Sequence, residues 1–376
     1  KGLFCNFLQN ILMKNRRSFL KTTGLALAAS TLPLPHFAYG NPQKKLGVAL
    51  LGLGGYATNN LAPALMQTKH IELRGIVTGS PEKIPVWKEK YGIKDHNVYS
   101  YETLPEIANN EDIDVVYIVT PTFLHKKYAV MAANAGKHVF CEKPMAMTVN
   151  ECQEIIDTCE KNNVRLAIGY RMQHEQNTQT IINWAEINPY GALQSVHTEA
   201  GFRIGSSGGW RLDAAKGGGA IYDMGVYPIN AMRYATGLEP ISLTASHETQ
   251  RPDLFLNGAP EITYFDLEFP NGITAKGRVT YADNVNFLKV NCADGNYELA
   301  PFQSYNGVSG STSDGKYLAP CECNQQAIQM DDDALAIMND KPMIAPGIEG
   351  LRDIQIVEAA LASGRNNGER IALKQY

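Results

Sequence analysis

The chain has 376 residues, 44% of them hydrophobic and 19% charged. That composition excludes a disordered or fibrous protein and gives enough apolar material for two cored domains. The formal charge of −4 hides an asymmetry: residues 1–40 hold Lys1, Lys14, Arg16, Arg17 and Lys21 and no acid, so the remainder is strongly acidic. Such a body is a poor partner for phosphate backbones or anionic lipid, which excludes a nucleic-acid-binding protein.

The first forty residues read as an address. Arg16-Arg17 precedes Ser18-Phe19-Leu20-Lys21 and then the small apolar run Gly24–Ala29. A basic segment before a short apolar segment is the pattern of a secretory signal. The run is far shorter than the ~20 residues of a membrane span. Ala38 and Gly40 suit cleavage after Gly40. The pattern resembles a twin-arginine export signal, which implies the twin-arginine export machinery as a partner, a periplasmic location and no stable membrane span. An amphipathic N-terminal helix is the alternative. Residues 1–12, ahead of Met13, read as upstream of the natural start.

From residue 41 the elements alternate. Leu46–Leu51 is a continuous apolar run suited to a buried parallel strand. Gly52–Ala57 follows, then a helical stretch toward Met66 with Pro63 as a kink. Ile71–Thr78 predicts a second strand, and Val86–Tyr91 a helix that Gly92 ends. Ile113–Val119 is a strand closed by Thr120-Pro121. His125–Ala135 is helical, Lys137–Cys141 a strand, Val149–Asn162 an amphipathic helix and Val164–Gly169 the next strand. Strands alternating with helices imply a doubly wound parallel sheet.

Beyond residue 170 the pattern turns β-rich. Ser195–Phe202, Ile241–His247, Ile262–Phe269, Gly272–Tyr281 and Phe287–Cys292 read as strands, with Pro270-Asn271-Gly272 as a hairpin turn. The stretches Val285–Asp294 and Ser304–Asp314 also read as loops, the second being rich in Gly, Ser and Asn. Gln325–Asn339 and Gly350–Ala362 read as helices. The expected division is a signal segment at 1–40, a Rossmann domain at 41–169 and a C-terminal domain at 170–376. Cys141, Cys152, Cys159, Cys292, Cys321 and Cys323 are expected to be free core residues. Cys321-x-Cys323 has no histidine nearby in sequence, so no zinc or other metal is expected.

Gly52-x-Gly54-x-x-Ala57 opens a helix straight after a strand, the arrangement that holds a dinucleotide pyrophosphate. Gly52 allows the tight turn, Gly54 and Gly55 let backbone approach the ligand, and Ala57 keeps helix and strand close. A carboxylate at the end of the second strand would select NAD. The strand ends instead in Thr78, with Lys83 close behind, which suits a 2′-phosphate and favours NADP over NAD. Lys83 also fits a plain solvated lysine at a helix start.

Glu142-Lys143-Pro144 follows a strand at the carboxyl edge where open α/β sheets bind ligands. Asp223, Tyr227 and Asn230 are four and three apart, on one face of a helix started by Gly217-Gly218-Gly219. A phenol, with a usual pKa of about 10, is a poor base at neutral pH, and a neighbouring ammonium favours its phenolate. Lys143 beside Tyr227 would form a proton-transfer pair for alcohol–carbonyl conversion. The same spacing also fits a polar helix face with a buried, satisfied tyrosine.

Together the segments Gly52–Ala57, Ala135–Met145, Ile168–Arg171, Gly217–Asn230 and Ala345–Gly350 resemble the glucose–fructose oxidoreductase branch of the Gfo/Idh/MocA family. The resemblance implies a Rossmann domain followed by an α+β domain with a large, mostly antiparallel open sheet that packs in dimers or tetramers. It implies Lys143, Asp223 and Tyr227 as catalytic residues. Thr78 and Lys83 fall on the 2′-phosphate contacts, and Tyr56, Thr120, Pro121, His125, Glu142 and Arg171 along the cofactor. Arg171, Trp210 and Arg211 fall where the family lines its sugar pocket. Trp210 also fits a core residue, Arg211 an ion-pair partner and His125 a plain helix start. One departure is visible: only Asn41–Lys45 separates the expected cleavage point from the first strand, where the branch's namesake carries a long proline-rich arm.

The expectation is thus a periplasmic NADP-linked sugar oxidoreductase that takes hydride from an aldose C1 and returns it to a ketose. The alternatives are an exported NAD-dependent glycosidase of the same family and a non-catalytic sugar-binding protein.

Overall fold

β1 (Leu46–Leu51) is covered on both faces, as its unbroken apolar run requires. The computed structural model describes residues 44–376, of which Lys45–Tyr376 form one unit. The export-type signal expected within residues 1–40 lies outside the described residues. After β1 a continuous helix opens as a π-helical turn at Ala57–Leu61 and ends as α1 (Ala62–Leu65), with Pro63 in its first turn. The alternation continues through β2 (Ile71–Val77), α2 (Ile84–Tyr91), β3 (Val98–Tyr99), β4 (Val115–Ile118), α3 (His125–Asn134), β5 (His138–Cys141), α4 (Val149–Lys161) and β6 (Leu166–Ile168). The order β3-β2-β1-β4-β5-β6, parallel throughout, is that of a doubly wound dinucleotide-binding sheet.

The chain goes on through α5 (Gln176–Ile187), β7 (Leu193–Gly201), α6 (Ala220–Asp223), α7 (Val226–Thr236), β8 (Ser242–Glu248), β9 (Ile262–Glu268) and β10 (Thr274–Thr280). β11 (Val285–Cys292), β12 (Gly295–Leu299), β13 (Gly310–Thr312), β14 (Tyr317–Leu318), α8 (Gln325–Met338), α9 (Gly347–Arg365) and β15 (Ile371–Ala372) complete it. The second sheet has nine strands in the order β14-β13-β12-β11-β7-β10-β9-β8-β15. It is antiparallel except at β7–β10. α7 covers the inner face at β7, and α9 covers it at β8. Alternation on β9 sends Phe265 and Leu267 inward and leaves Tyr264 and Asp266 exposed on the opposite face.

Two apolar layers flank the first sheet. Val48, Leu50, Val115 and Phe140 pack with Leu61 and Leu65 and with Ala327, Met330 and Ala334 of α8. The opposite face packs on α3, α4 and the inner side of the second sheet. A helix from near the C-terminus thus closes the dinucleotide-binding layer.

Several features depart from the expectations of the sequence, among them the strands β3, β12, β14 and β15, which it does not mark. α5 was not anticipated, because its first half, Gln-Asn-Thr-Gln-Thr, has no apolar face; the Glu175 side chain caps it by accepting from Thr178 N. The expected strand Phe287–Cys292 is present and begins earlier, as β11, inside the Val285–Asp294 stretch also read as a loop, and Ser304–Asp314 contains β13, whose pairing with β12 overrides its polar composition. Cys321 and Cys323 are disulfide-bonded rather than free, and Cys292 is half-buried; Cys141, Cys152 and Cys159 are free and buried. Among the described residues, no helix is long and apolar enough to cross a membrane.

Candidate active site

The carboxyl ends of β1, β4, β5 and β6 open onto one cleft of about 820 Å³, within the range of small-molecule and cofactor sites. Gly52 turns the chain after β1 with φ +98°, a conformation that side chains disfavour. Beside Gly54 nothing lies within 4 Å of the position a Cβ would take, so its backbone is open to a ligand. Ala57 is fully buried against the sheet. Thr78 follows β2 directly, its hydroxyl accepting from Ser80 N at 3.0 Å. Lys83 Nζ donates to the Leu53 carbonyl inside the glycine loop at 2.9 Å. An open turn, a helix start, a cleft at the strand ends and no carboxylate at the end of β2 fit a dinucleotide, with Gly52–Ala57 to hold its pyrophosphate.

Glu142 and Lys143 follow β5 and meet different partners at the cleft. Glu142 Oε1 accepts from Tyr117 OH at 2.8 Å, and Gly169 faces it so closely that a Cβ there would lie 2.7 Å from that oxygen. Burial pushes the Glu142 carboxyl up to about 7, against the pull of Lys143. Lys143 Nζ donates to Asp223 O at 3.0 Å and to Asp223 Oδ1 at 3.3 Å. It also lies 4.5 Å from the centre of the Tyr227 ring. Burial opposes the charge on Lys143, but Tyr227, Asp223 and Glu142 more than offset it, and the ammonium keeps its proton beyond the usual lysine range. Asp223 Oδ2 accepts from Arg211 Nε at 2.7 Å and from Tyr281 OH at 2.9 Å. Despite burial, Lys143 and Arg211 hold the Asp223 carboxyl well below the usual range. The site therefore contains a fixed carboxylate between two fixed cations, with a phenol alongside.

The helix expected to carry Asp223, Tyr227 and Asn230 on one face is broken between α6 and α7. Asp223 and Tyr227 still meet at Lys143. Asn230 instead turns inward, where its Oδ1 accepts from Gln173 Nε2 at 3.0 Å. His125 is also redirected: its Nδ1 is 2.8 Å from Pro144 O and its Nε2 is 2.7 Å from Thr120 O, so both ring edges face backbone. It braces the turns that carry Thr120, Pro121 and Lys143. Arg171 is buried, with its guanidinium over the rings of Tyr227 and Tyr305. The Arg211 guanidinium is 4.6 Å from the Trp210 ring centre at the cleft wall.

Three tyrosines of the site escaped the sequence reading. Tyr117 sits inside an apolar strand run and reads as core. Tyr281 ends a strand and reads the same way. Tyr305 carried the only usable signal, an aromatic residue inside a polar, glycine-containing stretch. Among the described residues, no group of His, Cys, Asp and Glu could hold a metal.

Residues 46–170 match the oxidoreductase family model with the NAD-binding Rossmann fold, and residues 179–298 match the GFO/IDH/MocA C-terminal domain. The chain belongs to the Gfo/Idh/MocA oxidoreductase family. The crystal structure of aldose-aldose oxidoreductase from Caulobacter crescentus, complexed with glycerol, is similar to this family member with a TM-score of 0.84 and 38% identity. That match covers 88% of this chain and 100% of the other. D-xylose 1-dehydrogenase [NADP(+)] from Haloarcula marismortui is 28% identical over 60% of this chain and 64% of its own length. D-glucoside 3-dehydrogenase from Escherichia coli is 27% identical over 55% of this chain and 58% of its own. The stretches shared with these two dehydrogenases thus span less than two thirds of their lengths.

Proposed function

We propose that this Gfo/Idh/MocA protein is an NADP-linked sugar oxidoreductase of the periplasm. The observation that carries the proposal is the convergence of Lys143, Asp223 and Tyr227 at a cleft that the glycine turn also lines. Nicotinamide bound in that cleft would accept the hydride from the C1–H bond of an aldose. Lys143 donates a hydrogen bond to the C1 hydroxyl and orients it toward Tyr227. Tyr227 takes the hydroxyl proton on its phenol oxygen as the C1–O bond becomes a lactone carbonyl. The Lys143 and Arg171 cations lie 4.5 Å and 5.7 Å from the centre of the Tyr227 ring, where they offset negative charge that gathers on the reacting oxygens. Asp223 keeps Lys143 in place. In the return half-reaction Tyr227 gives its proton to the carbonyl oxygen of a second sugar, a ketose or another aldose, which becomes an alcohol.

Support for a sugar comes from the aldose-aldose oxidoreductase likeness and from the dehydrogenases of xylose and glucosides among the relatives. Thr78 and Lys83, with no carboxylate at the end of β2, support NADP. Arg16-Arg17 and the apolar run after it support export through the twin-arginine machinery. The open outer face of the nine-stranded sheet supports a homodimer or homotetramer.

The test is to load the protein with NADP+, add a panel of aldoses and follow the near-ultraviolet absorbance of reduced nicotinamide. Absorbance should rise with at least one aldose and fall when a ketose or second aldose follows. No response to any aldose, together with cleavage of a nitrophenyl glycoside, would replace this reading with a glycosidase. Sugar binding without either reaction would leave a binding protein.

A further inference from the structure

Tyr305 stands in the irregular stretch between β12 and β13, yet it lines the cleft and its ring meets residues that follow β1 and β6. Tyr56, from the glycine turn, stacks on it with ring centres 5.9 Å apart and planes 27° from parallel. The guanidinium carbon of Arg171 is 4.6 Å from the centre of the Tyr305 ring and 5.7 Å from the centre of the Tyr227 ring. Arg171 Nη1 is anchored by the Ser304 carbonyl at 2.7 Å and by Gln325 Oε1. Arg171 Nε is buried and, among the described residues, has no hydrogen-bond partner. Hydrogen bonds therefore hold one edge of the guanidinium, and the Tyr305 ring supplies a flat surface for its plane.

We propose that Tyr305 is a positioning residue: its ring fixes the Arg171 cation against Tyr227, and its stack on Tyr56 ties that arrangement to the glycine turn. The proposal rests on Tyr227 being the proton-transfer group. Tyr305 acts through Arg171 and does not itself exchange a proton with the sugar. The contact that matters is the ring face, because a cation over an aromatic face is held by the ring's charge distribution rather than by the hydroxyl. A phenylalanine at 305 should therefore do what the tyrosine does, and an alanine should not.

The test uses Tyr305→Ala and Tyr305→Phe in the full-length protein, with crystal structures and steady-state kinetics for both. In Tyr305→Ala the Arg171 guanidinium should leave the Tyr227 ring, and kcat should fall about tenfold while the sugar KM stays within about twofold. Tyr305→Phe should keep Arg171 in place and recover kcat to within about twofold of the parent. An Arg171 that stays over Tyr227 in the alanine variant would overturn the proposal. So would a phenylalanine variant as impaired as the alanine variant, since that would place the hydroxyl on the substrate. If the parent protein transfers no hydride from any aldose, the functional reading fails on its own, and the two crystal structures still decide where Tyr305 holds Arg171.

Discussion

The Lys143 ammonium lies 4.5 Å from the centre of the Tyr227 ring while it donates to the Asp223 carbonyl oxygen at 3.0 Å. These groups come from a turn after a parallel strand and from two short helices of the other layer. Asp223 fixes the lysine from one side, and Arg211 and Tyr281 fix Asp223 from the other. Lys143 therefore cannot swing away from the phenol without abandoning a buried carboxylate.

Replacing Lys143 with methionine tests that coupling. Asp223 would keep only Arg211 as a cation, and removing one partner of a buried pair is costly. The remaining partner and the cleft's access to water reduce the loss to about 1–3 kcal/mol, read from denaturant midpoints. Turnover with an aldose should fall at least about a hundredfold, because the sugar hydroxyl loses its donor and Tyr227 its neighbouring cation.

Glu142 gives stability a pH signature. Its carboxyl is raised by burial from 4.5 to about 7. Between those values the folded protein holds a proton that the unfolded chain has released. The contribution is thus fully present below pH 4.5 and is lost as pH rises through 7. Glu142→Gln should gain on the parent as pH increases, by on the order of 1–3 kcal/mol between the two ends of that window. Thermal midpoints of both proteins across this range check the sign. Asp333, buried with both carboxyl oxygens unpartnered among the described residues, is also raised to about 7, so the variant keeps part of the dependence.

The Cys321–Cys323 bond closes a very short loop, which removes little entropy from the unfolded chain. Replacing both cysteines with serine should cost less than about 2 kcal/mol and leave the fold intact. Peptide mass mapping without reductant should show the pair joined, and Cys141, Cys152 and Cys159 as thiols.

Lys83 is the cation nearest the end of β2 that reaches the glycine loop. Lys83→Ala should lower the preference for NADP over NAD at least about tenfold by removing a charge-assisted partner of the 2′-phosphate. Fluorescence titration with the two reduced nucleotides measures it. An unchanged ratio would return Lys83 to a structural lysine on the Leu53 carbonyl.

Much of the architecture was legible because its signals are local. Leu46–Leu51 followed by Gly52-x-Gly54 specifies a buried strand and its turn within a dozen residues, and Gly92 and Gly136 mark helix ends. Lys143, Asp223 and Tyr227 could be named from short motifs. Their meeting could not be measured from spacing, since α6 and α7 form two helices and Asn230 leaves the shared face. The roles of Tyr117, Tyr281 and Tyr305, of which Tyr305 alone carries a local signal, are set by partners distant in the chain, Glu142, Asp223 and Arg171. His125 was legible as a residue but not in its orientation, which two backbone carbonyls decide.

The most direct test of the account is single-turnover reduction of bound NADP+ by an aldose in the parent and in Tyr227→Phe, with nucleotide affinity measured alongside. The account predicts at least about a hundredfold slower reduction in the variant with affinity for NADP+ nearly unchanged. A variant that reduces the nucleotide at the parent rate would show that the proton leaves by another route, and the pairing of Lys143 with Tyr227 would lose its function.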